Sequence, residues 1–498
     1  MLFIHNNNSS WYGNGSIKSN IKNLFEIASN NLKKNLNIHS SNIILLPHAG
    51  INYSGYCTAV ALSHYLNKKN KYNNIIILST LHKYNSNLIF PNSNSNKGIY
   101  SNIKIIDSKV NKFISKYTNC IRDNSFFENE HSHKNIIPFI EYCFPNVPIL
   151  PILVGDLKNF YTSGKNIYNH FNSSKTLWIL CTDLLHVNGR FDYKLPVNSI
   201  NYEIRKIESD ILKCIFDKKS LTFFKKVLKK YQINGVYPSI CGVNVLKLFL
   251  CMPFNNLFPK VTCYYQNNQL NDILNNNIID KQSNDSVVSY CSAIFFNKKN
   301  ISNNLEELLT KFEELELIHY SRSILSNKFF KLPLYVPLYS PSFYIKKGVF
   351  VTLKCKLNNN YCYSKGEQLR GCIGTYSTDK KIIDNIHTYT LSAAFNDSRF
   401  NNIILEELKF LNLSITLLSS KRKIFKNKNG FKKWRLGKDG IILKYYLNSA
   451  IYLPQVPIEQ GWNKKKTLES LSSKAGLGIN DWKKSNCELF IIPGYELI

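Results

Sequence analysis

The sequence predicts an α/β domain over residues 1–297 and an α+β domain over residues 305–498. In the first range, apolar runs without polar alternation occur between segments of helical spacing, a pattern typical of strands buried on both faces of a sheet. In the second range, short strand patterns are mixed with helical patterns and proline-punctuated chain. We therefore expect two domains, each with its own hydrophobic core.

Five apolar runs predict the strands of the first domain. They span residues 43–47, 75–79, 149–154, 177–180 and 287–295. Helical spacing over residues 55–66, between the first two runs, predicts a βαβ unit. Long helical patterns follow at about 203–231, and the Asn-rich segment 266–286 is predicted to be a surface insertion.

A seam at residues 298–304 separates the two predicted domains. A helix is predicted over residues 305–326, and extended chain with Pro333 and Pro337 follows it. The remaining elements of the second domain are strands at 348–356, 411–418 and 440–446 and helices at 380–395 and 465–475.

The composition argues against a specific nucleic-acid-binding protein. The formal charge of +31 reflects 64 Lys and Arg against 33 Asp and Glu, and most of the positive charge is Lys scattered among Asn and Ile. Because no Arg-rich stripe or nucleic-acid motif concentrates this charge, we expect a solvated, lysine-rich surface. Weak nonspecific binding of RNA is the alternative that the charge leaves open.

The thirteen cysteines indicate a reducing compartment, because they include no CxxC pair and are too few for a disulfide scaffold in 498 residues. The N-terminal residues lack the basic and apolar regions of a secretion signal. No apolar run approaches the roughly 18 residues that span a bilayer. We therefore expect a cytoplasmic protein, with the nucleus as an additional location and no membrane partner.

Two histidines directly follow predicted strands of the first domain. His48 follows the run at 43–47, and His82 follows the run at 75–79. Because ligands of open α/β sheets bind at the carboxyl ends of strands, we expect both imidazoles at one edge. Cys241, which precedes a helical segment, offers a thiolate. Two imidazoles and one thiolate with open positions suit Fe(II), Cu or Zn.

Five groups of residues along the first domain are distinctive in their order. They are Ser10-Trp11-Tyr12, Pro47-His48-Ala49-Gly50 with Tyr53 and Gly55, Glu130-His131-Ser132 with Pro138-Phe139, Thr182-Asp183-Leu184 with His186, and Ile240-Cys241-Gly242. Together they resemble the motifs of the Memo family, whose members look like class III extradiol dioxygenases in fold. The resemblance implies a metal site with the ligands His48, His82 and Cys241.

The same resemblance implies roles around the metal. Asp183 and His186 would line the pocket with His131 close by, and these three are the candidate catalytic residues. His186 or His131 would serve as acid or base. The implied ion is Fe(II), with Cu as the second choice and Zn behind both. An alternative for Asp183 is that it caps the turn that follows it. The remaining histidines of this domain, His5, His64, His133 and His170, are expected at the surface.

Two positions depart from the Memo pattern. The family commonly has Gly-Pro-Ser before its second histidine, whereas this chain has Ser79-Thr80-Leu81 before His82. The loop that carries His82 is therefore expected to differ. Lys134 stands where an acidic residue is usual, which would change the charge of the pocket if its side chain points inward.

The heptad Leu369-Arg370-Gly371-Cys372-Ile373-Gly374-Thr375 combines residues that are scarce in this chain. We interpret it as a tight loop, in which glycine lets backbone amides approach a ligand. Such a loop would hold the Cys372 thiol beside the Arg370 guanidinium.

Further motifs follow the heptad. They are Ser392-Ala393-Ala394-Phe395-Asn396-Asp397-Ser398-Arg399-Phe400, Gly437-Lys438-Asp439-Gly440-Ile441, the segment from Tyr452 to Trp462, and Lys474-Ala475-Gly476-Leu477. With the heptad they resemble the AMMECR domain family across about residues 305–498. The resemblance predicts a second functional cleft in this domain.

The side chains of these motifs predict an anion-binding cleft. Arg370 and Arg399 can bind a carboxylate or phosphate in bidentate fashion, and Cys372 can act as a nucleophile if its thiolate is stabilised. The other predicted contacts with substrate are Asp397, Gln455 and Glu459, and His387 is a candidate base. The alternative is that Arg399 and Asp397 form a structural ion pair while Cys372 is a small packed residue.

Two hypotheses of function follow from these sites. The first is a metal-dependent redox or dioxygenase-like enzyme, with Fe(II) or Cu, that acts on a small molecule or protein and binds an anionic substrate in its C-terminal cleft. The second is a noncatalytic module that binds metal and docks a partner or a phosphopeptide. Neither the fold nor the resemblance decides between them.

Overall fold

The structure is a computed structural model that describes residues 17–30, 32, 41–66, 71–83, 86–91, 107–117, 120–123, 125–128, 130–269, 286–300, 304–355, 368–377 and 379–498. The Ser10-Trp11-Tyr12 motif, His5, residues 270–285 of the predicted insertion and residues 301–303 of the predicted linker lie outside these ranges.

The chain divides into two compact units. The first comprises Met1–Ile301, Thr310–Glu313 and Leu338–Pro341, and the second comprises Ser302–Leu309, Glu314–Pro337 and Ser342–Ile498. The first unit thus includes two short segments that lie beyond the predicted linker. Glu313 connects these two segments to the rest of the first unit, because its buried carboxylate accepts hydrogen bonds from the backbone N–H of Val261 and the hydroxyl of Ser340.

Eight strands of the first unit's described residues form one sheet. They are β1 Ile43–Leu46, β2 Asn74–Thr80, β3 Ile89–Pro91, β4 Ile149–Val154, β5 Thr176–Cys181, β6 His186–Val187, β7 Leu257–Gln266 and β8 Val287–Asn297. The order is β3-β4-β2-β5-β1-β8-β6, and β7 pairs with β8. The four central strands β4, β2, β5 and β1 are parallel.

Helices cover both faces of this sheet. They are α1 Ile17–Asn30, α2 Ile51–Ser63, α3 Asp107–Lys116, α4 Ser125–Glu128, α5 Ile137–Cys143, α6 Phe160–Phe171, α7 Ile200–Phe216, α8 Leu221–Lys230 and α9 Val243–Cys251. Alternate residues of one strand enter different cores, as Ile43 and Ile44 show. The predicted α/β class is confirmed. Its strands lack polar alternation because both of their faces are buried against helices.

The predicted helical pattern at 203–231 is two helices, α7 and α8. Lys218 between them has a positive φ of 50°, which interrupts helical geometry. Ser220 then caps α8 by accepting a hydrogen bond from the backbone N–H of Phe223. Strand β7 was not predicted, because its Pro259, Lys260 and tyrosines disguise a strand that is buried along nearly its whole length.

Seven antiparallel strands of the second unit's described residues form a half-barrel sheet. They are β9 Gly348–Cys355, β10 Gln368–Thr375, β11 Leu411–Leu418, β12 Arg422–Ile424, β13 Asp439–Tyr445, β14 Asn448–Tyr452 and β15 Glu488–Leu497. The order is β10-β9-β11-β15-β13-β14, and β12 pairs with β15. The helices from here on are α10 Lys311–Phe330, α11 Ile382–Phe395, α12 Lys428–Lys433, α13 Gln455–Glu459 and α14 Lys464–Lys474. The predicted α+β class is confirmed.

The interpretation of the heptad 369–375 as a tight loop is wrong, because it lies within strand β10. The strand pairs with β9 and has a register shift between Leu369 and Gly371. A Cβ atom at Gly371 would lie 1.9 Å from the carbonyl oxygen of Ala393 in α11, and one at Gly374 would lie 2.2 Å from that of Val349. The glycines therefore allow close packing of backbone on backbone inside the unit.

Two further features concern the described residues only. None of their helices combines the length and apolar character that crossing a membrane requires. Their twelve cysteines are all free thiols.

The close packing at Gly371 predicts a large effect of a single methyl group. Gly371→Ala should lower the free energy of unfolding of the second unit by about 3 kcal/mol, because backbone atoms block the new Cβ and must shift. Gly461→Ala is the control, since its φ of +64° is strained but its Cβ meets nothing within 4 Å. That variant should lose only about 1 kcal/mol. Urea unfolding of the full chain measures both losses, and equal losses would contradict the packing argument.

Candidate functional site

The parallel strands bring three predicted side chains together at one sheet edge. His48 follows β1, His82 follows β2, and Cys241 precedes α9. Their ligand atoms all lie within 4.8 Å of one another. His48 Nε2 is 3.1 Å from Cys241 Sγ, and the rings of His48 and His82 are perpendicular, with centroids 5.0 Å apart.

The ring of His48 is buried and held from several sides. Its backbone N–H donates to Asp183 Oδ1 at 2.7 Å, and its carbonyl oxygen accepts from Asn135 Nδ2 at 2.8 Å. Its Nδ1 lies 3.6 Å from Cys181 Sγ, and Nε2 is left facing Cys241. Burial, and secondly the neighbouring His82, lowers the pKa of His48 to about 3. The imidazole is therefore neutral, as metal binding requires.

A buried carboxylate orients His82. Glu130 is only 1% exposed, and its Oε1 is 2.8 Å from His82 Nδ1. The two carboxylate oxygens also accept the backbone N–H groups of His82, His131 and Ser132 at 2.7 to 2.9 Å. Although burial raises the pKa of Glu130, the hydrogen bonds from His82 outweigh it and hold the pKa well below its usual range. The contact with Glu130 favours a proton on His82 Nδ1, which would leave Nε2 available to the cluster.

Glu130 was missing from the predicted site residues. Its signal was the Glu130-His131-Ser132 motif, which sets a carboxylate beside an imidazole in a chain with only 33 acidic residues. The same carboxylate fixes the loop whose Ser79-Thr80-Leu81 sequence departs from the Memo pattern, and the Ser132 hydroxyl donates to the carbonyl of Thr80 at 2.8 Å. Lys134, the other departure, donates to the carbonyl of Glu128 at 2.5 Å.

Asp183 joins two loops of the site. Its Oδ1 accepts the backbone N–H groups of His48 at 2.7 Å and Ala49 at 3.3 Å. Its Oδ2 lies 4.0 Å from His48 Nε2 and 3.9 Å from His186 Nε2. The carboxylate therefore binds the loop before α2 and does not cap its own turn. Burial raises the pKa of Asp183.

His131 and His186 complete the ring of donors. His131 stacks on His82 with centroids 4.6 Å apart and an interplanar angle of 18°. His186 Nε2 is buried and has no hydrogen-bond partner among the described residues. Burial chiefly lowers the pKa of each of these histidines to about 4. Two further groups, His82 with Glu130 and His131 and Asp183 with His186 and Cys241, also have ligand atoms within 4.8 Å of one another.

Cys241 is held by a close approach of two loops. Its Sγ accepts the backbone N–H of Asp183 at 3.2 Å, while burial raises the pKa of the thiol well above its usual value. Gly242 donates its N–H to Thr182 Oγ1 at 2.9 Å, and a Cβ at this glycine would lie 2.2 Å from the Thr182 side chain. Only glycine fits there. A metal ion would have to displace the thiol proton on binding.

His133, predicted at the surface, is buried, and that prediction is wrong. Its ring packs edge-on against Phe127 with centroids 5.2 Å apart, and burial lowers its pKa to about 3. The prediction failed because histidine is polar and is usually expected at the surface, whereas this ring packs in an apolar environment beside Glu130-His131-Ser132. His64 and His170 are partly exposed.

In the second unit, the structure brings Cys372, Asp397 and Arg399 together. The Cys372 N–H donates to Asp397 Oδ2 at 2.9 Å, and its Sγ is 3.3 Å from Thr352 Oγ1. Arg399 binds both oxygens of Asp397 and donates to the carbonyl of Cys372. Burial raises the pKa of Cys372, and the positive charges of Arg399 and Lys474 offset part of that rise. The Arg399 hydrogen bond lowers the pKa of Asp397 to about 2.

The other residues that the sequence predicted for a cleft in this unit have their own partners. Arg370 binds the two oxygens of Glu407 at 2.7 and 2.9 Å, so its guanidinium is already engaged by a carboxylate. Gln455 donates to Thr416 Oγ1 at 3.0 Å. The remaining pairs are Glu459 with Lys354 at 2.8 Å and His387 with the Tyr320 hydroxyl at 3.1 Å.

Comparison with known proteins finds two family models. Residues 8–294 match the model described as Memo-like protein, and residues 306–492 match the model described as AMMECR1. A protein of Methanocaldococcus jannaschii is 31% identical over 185 residues, covering 37% of this chain and 88% of that protein. A protein of Nanoarchaeum equitans is 36% identical over 151 residues, covering 30% and 79%.

Two uncharacterized proteins are also similar. One from Kluyveromyces lactis is 40% identical over 145 residues, covering 27% of this chain and 60% of that protein. The other is a protein from Pyrococcus horikoshii with a known crystal structure. It is 26% identical, and the match covers 37% of this chain and 90% of that chain, with a TM-score of 0.33.

The hydrogen bonds of Glu130 predict the tautomer of His82. In the metal-free protein, His82 should carry its proton on Nδ1, and Glu130→Gln should give a mixture of tautomers because the charged acceptor is lost. The variant should also lose about 2 kcal/mol of unfolding free energy. Long-range proton–nitrogen spectra of ¹⁵N-histidine-labelled protein report the tautomer. Glu128→Gln, at an exposed position, is the control. A protonated Nε2 in the unaltered protein would refute the orientation by Glu130.

Proposed function

Because the chain belongs to the Memo-like protein family through residues 8–294 and carries an AMMECR1 domain over residues 306–492, we propose that it is a metal-dependent enzyme of redox or dioxygenase-like type. The observation that carries the proposal is the convergence of His48, His82 and Cys241 within 4.8 Å at the carboxyl edge of the parallel strands. We propose Fe(II) as the resident ion, with Cu next and Zn after both.

The donor set fits such an ion. Each imidazole presents one nitrogen to the cluster and has its other nitrogen in contact with a neighbouring residue. That neighbour is Cys181 for His48 and Glu130 for His82. Such orientation of metal-binding imidazoles is the usual function of the surrounding hydrogen bonds. Three protein ligands leave positions open, and a thiolate in place of a carboxylate makes the set softer. A bound Fe(II) or Cu ion would supply electron transfer and a position for dioxygen or a chelating substrate.

The chain's own residues can handle protons beside the ion. His131 and His186, whose pKa values are lowered to about 4, are neutral at pH 7 and can accept a proton. Asp183 Oδ2, 3.9 Å from His186 Nε2, can stabilise the imidazolium that results.

We also propose that the second unit binds an anionic group, a carboxylate or a phosphate, beside Cys372. Arg399 supports this role, because its side chain is 49% exposed even though it pairs with Asp397. Lys474 adds a second positive charge that acts on Cys372. Arg370, which the sequence suggested for the same task, is better suited to stabilising the unit through Glu407.

A noncatalytic module is the second candidate, and the state of Cys372 favours it. Burial raises the pKa of this thiol, which disfavours the nucleophilic thiolate. In this alternative the first unit holds a metal ion without turnover, and Arg399 with Lys474 docks a phosphorylated peptide.

Metal analysis tests the first unit. Protein purified without oxygen should contain about one Fe(II) per chain at the His48, His82 and Cys241 ligands, and His48→Ala or Cys241→Ser should weaken its binding by about 100-fold or more. His170→Ala, on the surface of α6, should bind iron as the unaltered protein does. Elemental analysis and iron titration measure both. Iron content that is negligible throughout, or unchanged in His48→Ala, would rule out the proposed centre.

Anion binding tests the second unit. Arg399→Ala should weaken the binding of inorganic phosphate about tenfold, the loss of one charge-assisted hydrogen bond, without altering iron content. Arg435→Ala is the matched control, because Arg435 makes an equivalent two-oxygen pair with buried Asp439 elsewhere in the unit. Calorimetry measures the affinities. A small-molecule product that depends on Cys372 would exclude the noncatalytic module, whereas capture of a phosphopeptide without any product would favour it.

A further inference from the structure

The first unit has a second set of donors that the proposed centre does not use. Asp183, His186 and Cys241 have ligand atoms within 4.8 Å of one another, and Cys241 is also in the set with His48 and His82. We propose that the Cys241 thiolate bridges two metal ions, one bound by His48 and His82 and the other by Asp183 and His186. This inference rests on the proposed metal centre and extends it to a dinuclear one.

The two carboxylate oxygens of Asp183 have different surroundings. Oδ1 accepts the backbone N–H groups of His48 and Ala49, which fixes the position of the carboxylate. Oδ2 accepts no hydrogen bond from the described residues and faces two imidazole nitrogens at 3.9 and 4.0 Å. A cation between Oδ2 and the two imidazoles would pair with the carboxylate charge and be bound by the neutral ring nitrogens.

His186 supplies an unsatisfied ligand atom. Its Nε2 is buried and has no hydrogen-bond partner among the described residues. The same atom lies 3.9 Å from Asp183 Oδ2. The ring is held by edge contact with Phe191, with centroids 4.8 Å apart. An imidazole nitrogen in this position is suited to metal ligation, because with the ring proton on Nδ1 its lone pair is used by no hydrogen bond among the described residues.

The numbers of ligands agree with two ions. Each set has three protein donors when Cys241 is shared, and each therefore leaves a position for substrate. A shared donor would keep the ions at about 3.5–4 Å, the separation of two-metal sites. Two dications would also compensate the buried negative charges of Asp183 and the thiolate.

The third candidate set, His82 with Glu130 and His131, does not qualify. Glu130 already receives the backbone N–H groups of three residues and the Nδ1 of His82. Its lone pairs are occupied, so it orients ligands without being one. With Asp183 and His186 engaged by the second ion, proton transfer falls to His131, which stacks on His82.

The dinuclear centre defines a class of substrate. Two ions with adjacent open positions suit a ligand that spans them through two oxygen atoms, such as a carboxylate, a phosphate or a vicinal diol. A single ion would bind the same ligand through one position or by chelation.

Cobalt titration tests the inference. The metal-free full chain is titrated with Co²⁺ without oxygen, and bound cobalt is counted after desalting. The expected result is two ions per chain, with thiolate-to-cobalt absorption in the near ultraviolet and a magnetic signal weakened by coupling through the bridge. Asp183→Asn and His186→Gln should each bind one ion and keep the thiolate absorption. Asp156→Asn, an exposed acidic control, should bind two.

The outcomes separate this inference from the proposed centre. One ion per chain in the unaltered protein, lost in His48→Ala and retained in Asp183→Asn, would overturn the second ion and leave the mononuclear centre in place. No bound ion at all would overturn both. Two ions that persist in both Asp183→Asn and His186→Gln would overturn the assigned ligands. Circular dichroism establishes whether each variant is folded. If Asp183→Asn does not fold, the cobalt content of His186→Gln decides whether the second ion is bound.

Discussion

The site of the first unit depends on the buried carboxylate of Glu130. Its two oxygens accept the backbone N–H groups of His82, His131 and Ser132 and face the His82 ring. One charged group therefore shapes two loops and sets the orientation of a ligand ring. A buried charge is tolerated only with such complete hydrogen bonding, and the same bonding makes the arrangement rigid.

Burial then determines the chemical state of the donors. His48, His131 and His186 all have lowered pKa values because the charged imidazolium would lose its hydration. Cys241 is held as a thiol for the same reason. His48, His131, His186 and Cys241 are thus neutral and close together, and a cation is a partner that their lone pairs can bind. This preference for a positive ion is a property of the whole cluster.

The second unit uses its charged residues differently. Arg370, Arg399 and Arg435 each pair with a carboxylate through two contacts, and each of those carboxylates, on Glu407, Asp397 and Asp439, also accepts a backbone N–H group. These pairs connect strands and loops of the half-barrel. The Arg399 side chain also donates to the backbone carbonyl of Cys372, and the anion site that we propose for this unit is centred there.

The sequence by itself determined the two fold classes, most strands and the residues of the cluster, because apolar runs, helical spacing and short motifs are local signals. It did not determine that the heptad 369–375 is a strand or that His133 is buried, since glycine and histidine have no single preferred environment. Only the tertiary structure decided that Glu130 orients His82 and that Arg370 is engaged by Glu407. Each of these contacts joins residues tens of positions apart, and the pairing of strands and loops sets their distance.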